Sequence, residues 1–304
     1  MDIYLPIAEI STNIFVLLGL GAAVGFLSGM FGVGGGFLMT PLLIFLGVPP
    51  AVAVGTGTNL IVASSVSGMM AHWRRGNVDF RMGSLIFTGG VGGAWIGALL
   101  FRELREAGQI DLVISLSYVV FLAIVGGLMG VESISALMRR QRKRRRKANL
   151  HTWIHGLPLK VRFRRSKLYV SAVPPVLVGL LMGLLASFMG VGGGFVMVPV
   201  MIYVIGMPTA VVIGTSLLAI VVISAMSSFA HAFNNHNVDV VLALLLALGA
   251  VVGAQYGTKF GLRLRAEQLR GLLALMVLAV AGRLVFSLVS RPSELFSVAI
   301  IGAP

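Results

Sequence analysis

Two glycine triplets, Gly34-Gly35-Gly36 and Gly192-Gly193-Gly194, interrupt otherwise apolar stretches of the chain. Glycine costs a helix about 1 kcal/mol per residue relative to alanine, so three in a row argue for unwound backbone. Unwound backbone at a helix start presents N–H groups carrying partial positive charge, and such a terminus suits an anion. Close packing of small residues between helices is the alternative reading. A nucleotide loop does not fit, because neither copy has the lysine and hydroxyl of GxxxxGK[ST] or the sixth-position glycine of GxGxxG.

Short uncharged polar residues follow each triplet: Thr56, Thr58, Asn59, Ser64, Ser65 and Ser67 in one apolar segment, and Thr215, Ser216, Ser224, Ser227 and Ser228 in its counterpart. Hydroxyl and amide donors can hold an oxyanion without a fixed charge, which permits release as well as capture. They can equally hydrogen-bond between helices. The expected substrate contacts are the six glycines with Thr56, Thr58, Asn59, Ser64, Ser65, Thr215 and Ser216. Asn59 is the strongest single candidate, since an amide inside a span is costly without a partner. Arg283, the one full charge well inside an apolar run, joins this set or snorkels to a surface. His72 and His231 occupy matching span ends, as proton-relay residues or plain interfacial histidines. Asp79 and Asp239 read as N-caps. Gly93 with Gly97, and Gly253 with Gly257, read as helix-packing pairs.

Enzyme chemistry has no visible residues to run on. There is no cysteine, no HExxH, no GxSxG with triad partners and no pair of carboxylates within a span. No cofactor and no metal is expected.

The elements that must position these groups are membrane helices. The chain is 57% hydrophobic and 11% charged, with mean hydropathy +0.97, so its apolar surface calls for lipid. Near-chargeless runs such as Ile14 to Phe31, Leu85 to Phe101, Leu112 to Val131, Tyr169 to Val191, Val240 to Phe260 and Leu272 to Val289 are each long enough to span. The opening carries Asp2 and Glu9 instead of a basic cluster, so the first helix reads as retained, not as a signal peptide. Of the 24 Lys and Arg, 13 lie between 132 and 168, where Glu132 is the only acid. The basic excess is therefore one loop, read as a cytoplasmic topology determinant touching anionic lipids; no nucleic-acid partner is expected.

An internal repeat organises the rest. Phe31-Gly32-Val33-Gly34-Gly35-Gly36-Phe37 returns as Met189-Gly190-Val191-Gly192-Gly193-Gly194-Phe195. Val48-Pro49, Gly55-Thr56, Ala71-His72 and Asn77-Val78-Asp79 return as Met207-Pro208, Gly214-Thr215, Ala230-His231 and Asn237-Val238-Asp239, with the offset staying between 158 and 160. The sequence divides into a first membrane repeat (1–131), a basic cytoplasmic loop (132–168) and a second membrane repeat (169–304). Each repeat holds five apolar segments, the second short: Phe37 to Leu46 and Phe195 to Ile205. Ten or eleven helical residues reach about 15 Å, half the hydrocarbon core, so these are half-helices or re-entrant segments. With the basic loop inside, Arg74, Arg75 and Arg81 fall inside and Arg102 to Glu106 outside. Asn234 to Asn237 then fall outside, Lys259 to Arg270 inside, and both termini outside. The expected fold class is an all-α integral membrane protein of two inverted-topology repeats. Inverted repeats with broken helices are how transporters build a midplane site and alternate its access.

The doubled GVGGGF motif, with its downstream proline and Gly-Thr pair, resembles the TauE/SafE sulfite exporter family, also called the 4-toluene sulfonate uptake permease family. The resemblance covers nearly the whole chain apart from the basic loop. It implies a multi-pass carrier of the bacterial inner membrane for sulfite, thiosulfate, sulfonates or related sulfur compounds. The copies differ, with Asn59 facing Leu218 and Gly57 facing Ser216, so the site is expected to be asymmetric.

The leading expectation is thus export of a small sulfur-containing anion by alternating access. An interior-negative potential favours anion exit by about 2.3 kcal/mol per charge per 100 mV. A proton-coupled importer of organic sulfonates or carboxylates, a selective channel, and a scaffold recruiting partners through the basic loop are the other readings. The sequence is compatible with a monomer or a homo-oligomer.

Overall fold

The computed structural model describes residues 2–138, 160–163, 165–166, 168–261 and 266–289. The basic run Arg139 to Lys147, with its expected lipid contact, and the C-terminal segment 290–304 lie outside the described residues. A β-hairpin, β1 (Asp2–Leu5) and β2 (Ile10–Asn13), precedes α1 (Ile14–Phe31), α2 (Gly36–Phe45), α3 (Pro50–Trp73), α4 (Phe80–Glu106) and α5 (Ile110–Met138). A second hairpin, β3 (Lys160–Phe163) and β4 (Leu168–Ser171), precedes α6 (Val173–Met189), α7 (Gly194–Tyr203), α8 (Thr209–Ala230), α9 (Val240–Gly261) and α10 (Ala266–Val289). Helix α8 runs on into a π-helical turn, His231–Asn235.

This is an α-helical membrane architecture. Among the described residues, five helical stretches, Ile14–Phe31, Pro50–Trp73, Phe80–Glu106, Val211–Asn235 and Val240–Gly261, are long and apolar enough to cross a membrane. The second helix of each half is indeed short, ten residues in both α2 and α7.

The two hairpins are additions to the helical expectation. They are built alike: Leu5 pairs with Ile10 across one turn, and Phe163 with Leu168 across the other. Leu5 and Phe163, matched at an offset of 158, are both fully buried.

The helices of one half pack against those of the other. Gly21, Gly25 and Gly29 of α1 face the backbones of Leu246, Ala250 and Ala254 of α9, so these helices run in the same direction. Gly89, Gly93 and Gly97 of α4 meet the carbonyls of Val176, Leu180 and Leu184 of α6 in the same way. A side chain at these positions would strike a backbone carbonyl, so glycine lets the helix axes approach at the cost of its poor helix propensity. The sequence-matched helices α3 and α8 cross antiparallel, with Asn59 meeting Ser228 and Gly68 meeting Leu217. Each first helix is therefore paired with the fourth helix of the opposite half.

Candidate functional site

The glycine triplets end one helix and start the next. Helix α1 stops at Gly32 in the left-handed conformation (φ 71°), and its amide returns to the Ser28 carbonyl at 2.8 Å. Gly34 (φ 85°) and Gly35 (φ 74°) keep positive φ before α2 begins at Gly36. The second copy repeats this with Gly190 (φ 69°), Gly192 (φ 73°) and Gly193 (φ 69°) before Gly194 opens α7. The first N–H groups of α2 and α7 have no intrahelical acceptor, so both loops present donors and a positive helix end.

The two loops meet. A Cβ on Gly36 would lie 2.6 Å from the Gly190 carbonyl oxygen, and one on Gly194 would collide with the Val33 carbonyl. Between them sit two matched, fully buried isoleucines. Ile61 and Ile220 each approach Gly34, within 3.1 Å of a Cβ placed there, and Ile61 also lies against Gly192. Nothing in an apolar run marks one isoleucine among many, so only the repeat offset could have singled out this pair.

The polar residues divide by whether the protein satisfies them. Thr56 accepts from the Asp239 amide and Thr215 from the Asp79 amide, both at 3.0 Å. Thr58 donates to the Gly55 carbonyl at 2.7 Å, inside its own helix. Ser64 accepts from Ser28 at 3.2 Å and reaches the Ile61 carbonyl at 3.2 Å, with the Gly34 carbonyl at 3.4 Å. Ser216 bridges the carbonyls of Ile213 (3.0 Å) and Gly32 (3.2 Å). By contrast Ser65, its match Ser224, and Asn59 Nδ2 are buried without a partner among the described residues. The Ser65 Oγ lies 3.4 Å from the Cβ position of Gly34, so this unpaired hydroxyl faces the loop. Asn59 Oδ1 accepts from Ser228 at 2.8 Å. Buried polar groups without partners are uncommon and call for an explanation, such as a solute or water.

The charged and titratable candidates stand apart from the glycine crossing. Arg283 is exposed on α10, its guanidinium 5.6 Å from the ring of Phe45 and 5.9 Å from that of Phe286. Phe45 ends α2, so Arg283 belongs to the end of that helix opposite the loop. His72 is buried with Nδ1 unpartnered among the described residues. His231 is fully buried, its Nε2 2.7 Å from the Ser187 carbonyl and its Nδ1 3.2 Å from Asn235 Nδ2. A carbonyl only accepts, so the imidazole is held as the Nε2–H tautomer with Nδ1 accepting. Its ring also packs edge-on against Phe101 at 4.7 Å.

Asp79 and Asp239 cap α4 and α9, accepting from Met82 at 3.2 Å and Leu242 at 3.0 Å. Their second oxygens do something the sequence did not announce. Asp239 Oδ2 accepts from the Ile7 amide at 3.0 Å and Asp79 Oδ2 from Ser166 N and Oγ at 3.1 and 2.7 Å. Each hairpin tip is thus latched to the opposite half. Tyr118, likewise unforeseen, donates to the Met189 carbonyl at 2.6 Å, bracing the second loop.

At the molecular end where α4 finishes, Arg102, Arg105 and Glu106 line a cavity of about 660 Å³ with Phe233, Asn234, Asn235 and His236. Arg105 donates to the Asn235 carbonyl, and Arg102 pairs with Glu106 at 2.8 Å. The π turn here has a sequence cause. Between His72 and Asn77 there is one residue fewer than between His231 and Asn237, and a one-residue insertion into a helix is absorbed as π geometry.

Comparison with known proteins agrees with this architecture. Residues 17–284 match the family model described as Sulfite exporter TauE/SafE. The chain is 30% identical over 273 residues to a "Probable membrane transporter protein" of Xylella fastidiosa (strain 9a5c), covering 88% of this chain and 94% of that one. It is 27% identical over 270 residues to "Probable membrane transporter protein YjnA" of Bacillus subtilis (strain 168), covering 88% and 97%. A shorter match, 32% over 129 residues, is to "Sulfite exporter TauE/SafE family protein 3" of Arabidopsis thaliana and covers 40% and 26%. No solved structure matches. With glycine-broken helices in both halves and a family match spanning almost all of its membrane helices, the chain belongs to the sulfite exporter TauE/SafE family of membrane transporters.

Proposed function

We propose that this transporter carries a small sulfur oxyanion, sulfite or an organosulfonate, by alternating access between two inverted repeats, and that it works as an exporter of the bacterial inner membrane. The observation that carries the reading is the meeting of two left-handed glycine loops, each opening a short helix, beside the Ser65 hydroxyl, which has no partner among the described residues. Backbone N–H groups at two helix starts supply donors without a fixed cation, so the anion is held and can still leave. Gly34 to Gly36 and Gly192 to Gly194 form the cradle, with Asn59 and Ser65 as side-chain donors. Thr56, Thr58, Ser64, Thr215 and Ser216 shape it from the surrounding backbone. Ile61 and Ile220 occupy the centre in the closed arrangement and withdraw when the anion enters.

Antiparallel α3 and α8 and the exchange of partners between the halves support inversion. With the basic loop in the cytoplasm, the Arg102 end of the molecule faces outward. The chain does no covalent chemistry on its solute in this reading. His72 and His231 are the residues through which a proton would couple, should transport run inward against the potential. Their buried settings at matched positions, apart from the glycine crossing, favour that second role over a substrate contact.

The test is flux of labelled sulfite in proteoliposomes under an imposed potential. Saturable sulfite movement that follows the potential is expected. Flux that ignores the potential but collapses with an uncoupler would favour the proton-coupled importer of sulfonates or carboxylates. No flux of either solute by folded protein would end the substrate assignment.

A further inference from the structure

The two halves are not equally polar along their central helices. Ser224, Ser227, Ser228 and His231 recur at the three- and four-residue spacing of one helix face on α8. Ser224 and Ser227 are fully buried, and neither hydroxyl has a partner among the described residues. Ser228 meets Asn59, whose Nδ2 is also unpartnered. The face continues through His231 to Asn235, which lines the arginine-bearing cavity beside Arg102 and Arg105. Asn235 is 5% exposed, with Oδ1 unpartnered, and Asn234 adds an unpartnered Nδ2.

The matched face of α3 reads Ser65, Gly68, Met69 and His72, and Asn59 is matched by Leu218. Two polar steps are missing, and fully buried Leu217 packs on Gly68, 3.1 Å from its Cβ position. Leu218 in turn presses on Gly83 of α4 at 2.7 Å from its Cβ position. An oxyanion moving toward this end would lose hydration without gaining donors, which is costly, whereas the α8 face offers a donor at each turn.

We infer that the oxyanion passes between the glycine crossing and the arginine-lined cavity along this single face of α8, with Asn59 as its partner on α3, while in this arrangement the matched face of α3 is closed by leucine and methionine side chains. This rests on the transport reading above and names its route. Arg102 and Arg105 would gather the anion at the cavity, and the hydroxyls of Ser227 and Ser224 would hand it to the glycine loops. The π turn, found among the described residues in one half alone, widens the helix where this face meets the cavity.

The chain has no cysteine, so each introduced thiol is the sole target for a methanethiosulfonate reagent. Single variants Ser227→Cys, Ser228→Cys, Met69→Cys and Leu218→Cys, reconstituted in liposomes, are treated with the sulfonate-bearing ethylsulfonate reagent from each side in turn. Labelling of the two serine-derived thiols from the Arg102 side, slowed by sulfate at constant ionic strength, with Met69→Cys and Leu218→Cys unlabelled from that side, is the expected result. Arg102→Gln with Arg105→Gln leaves Glu106 as the cavity's remaining charge, which should slow the anionic reagent without slowing its trimethylammonium analogue. Equal labelling of all four thiols, or none at Ser227→Cys and Ser228→Cys, would overturn the route. The readout is independent of flux, so labelling in a protein that moves no sulfite would retain the route and remove the substrate.

Discussion

The Thr56 hydroxyl accepts a hydrogen bond from the Asp239 amide at 3.0 Å, across 183 residues of sequence. Thr215 does the same for Asp79 at 3.0 Å, so each half holds the helix start of the other. Both contacts are buried, and replacing the acceptor would leave an amide unsatisfied. Thr56→Val should therefore cost about 1–3 kcal/mol and Thr56→Ser much less. Thermal unfolding in detergent, with the two variants side by side, checks this.

The carboxylates one atom group away tie down the hairpins. Asp239→Ala removes the cap of α9 and the one oxygen that accepts from both hairpin amides, Ile7 and Ala8, a loss of about 2 kcal/mol or more. Amide exchange in residues 2–13 should accelerate in Asp239→Ala, and exchange in 160–171 should accelerate in Asp79→Ala. If each variant loosened only its own half, the cross-latching would be wrong.

The glycine crossing makes a position-specific prediction. Gly34→Ala places a side chain at φ 85°, a strain of about 1–2 kcal/mol. Gly36→Ala drives a methyl into the Gly190 carbonyl and the Ile61 side chain. Both should abolish flux, whereas Gly92→Ala, with open space at its Cβ position, should match wild type in proteoliposomes.

Ser65 separates binding from stability. Its hydroxyl has no partner among the described residues, so Ser65→Ala should leave stability within about 0.5 kcal/mol of wild type. Loss of one donor to the anion should raise KM about threefold to tenfold, the equivalent of ~1 kcal/mol. A concentration series of sulfite flux measures it.

Much of this is legible in the sequence. The repeat placed both breaks, because three glycines in an apolar run have few physical outcomes. The short segments followed from length, and the caps at Asp79 and Asp239 from residue type ahead of a helix. What escaped reading depends on contacts between distant segments. The hairpins are four-residue strands with no sustained alternation, and their latching oxygens belong to residues already explained as caps. Ile61 and Ile220 are invisible because apolar residues in apolar helices carry no pattern. The sequence left Arg283 open between a substrate contact and a snorkelling side chain, because position along a span does not say which way a helix turns a residue; it is exposed on α10 against Phe45 and Phe286. The π turn was written in the sequence as a change of offset from 159 to 160 between His231 and Asn237, a signal visible only when the offset is tracked residue by residue.

The most direct measurement is an experimental structure of the full chain in lipid nanodiscs with saturating sulfite. Density for the anion is expected between Gly34–Gly36 and Gly192–Gly194, within hydrogen-bonding distance of their amides and of Ser65 Oγ, with Ile61 and Ile220 moved aside. Sulfite bound elsewhere, with the two isoleucines still packed between intact glycine loops, would contradict it.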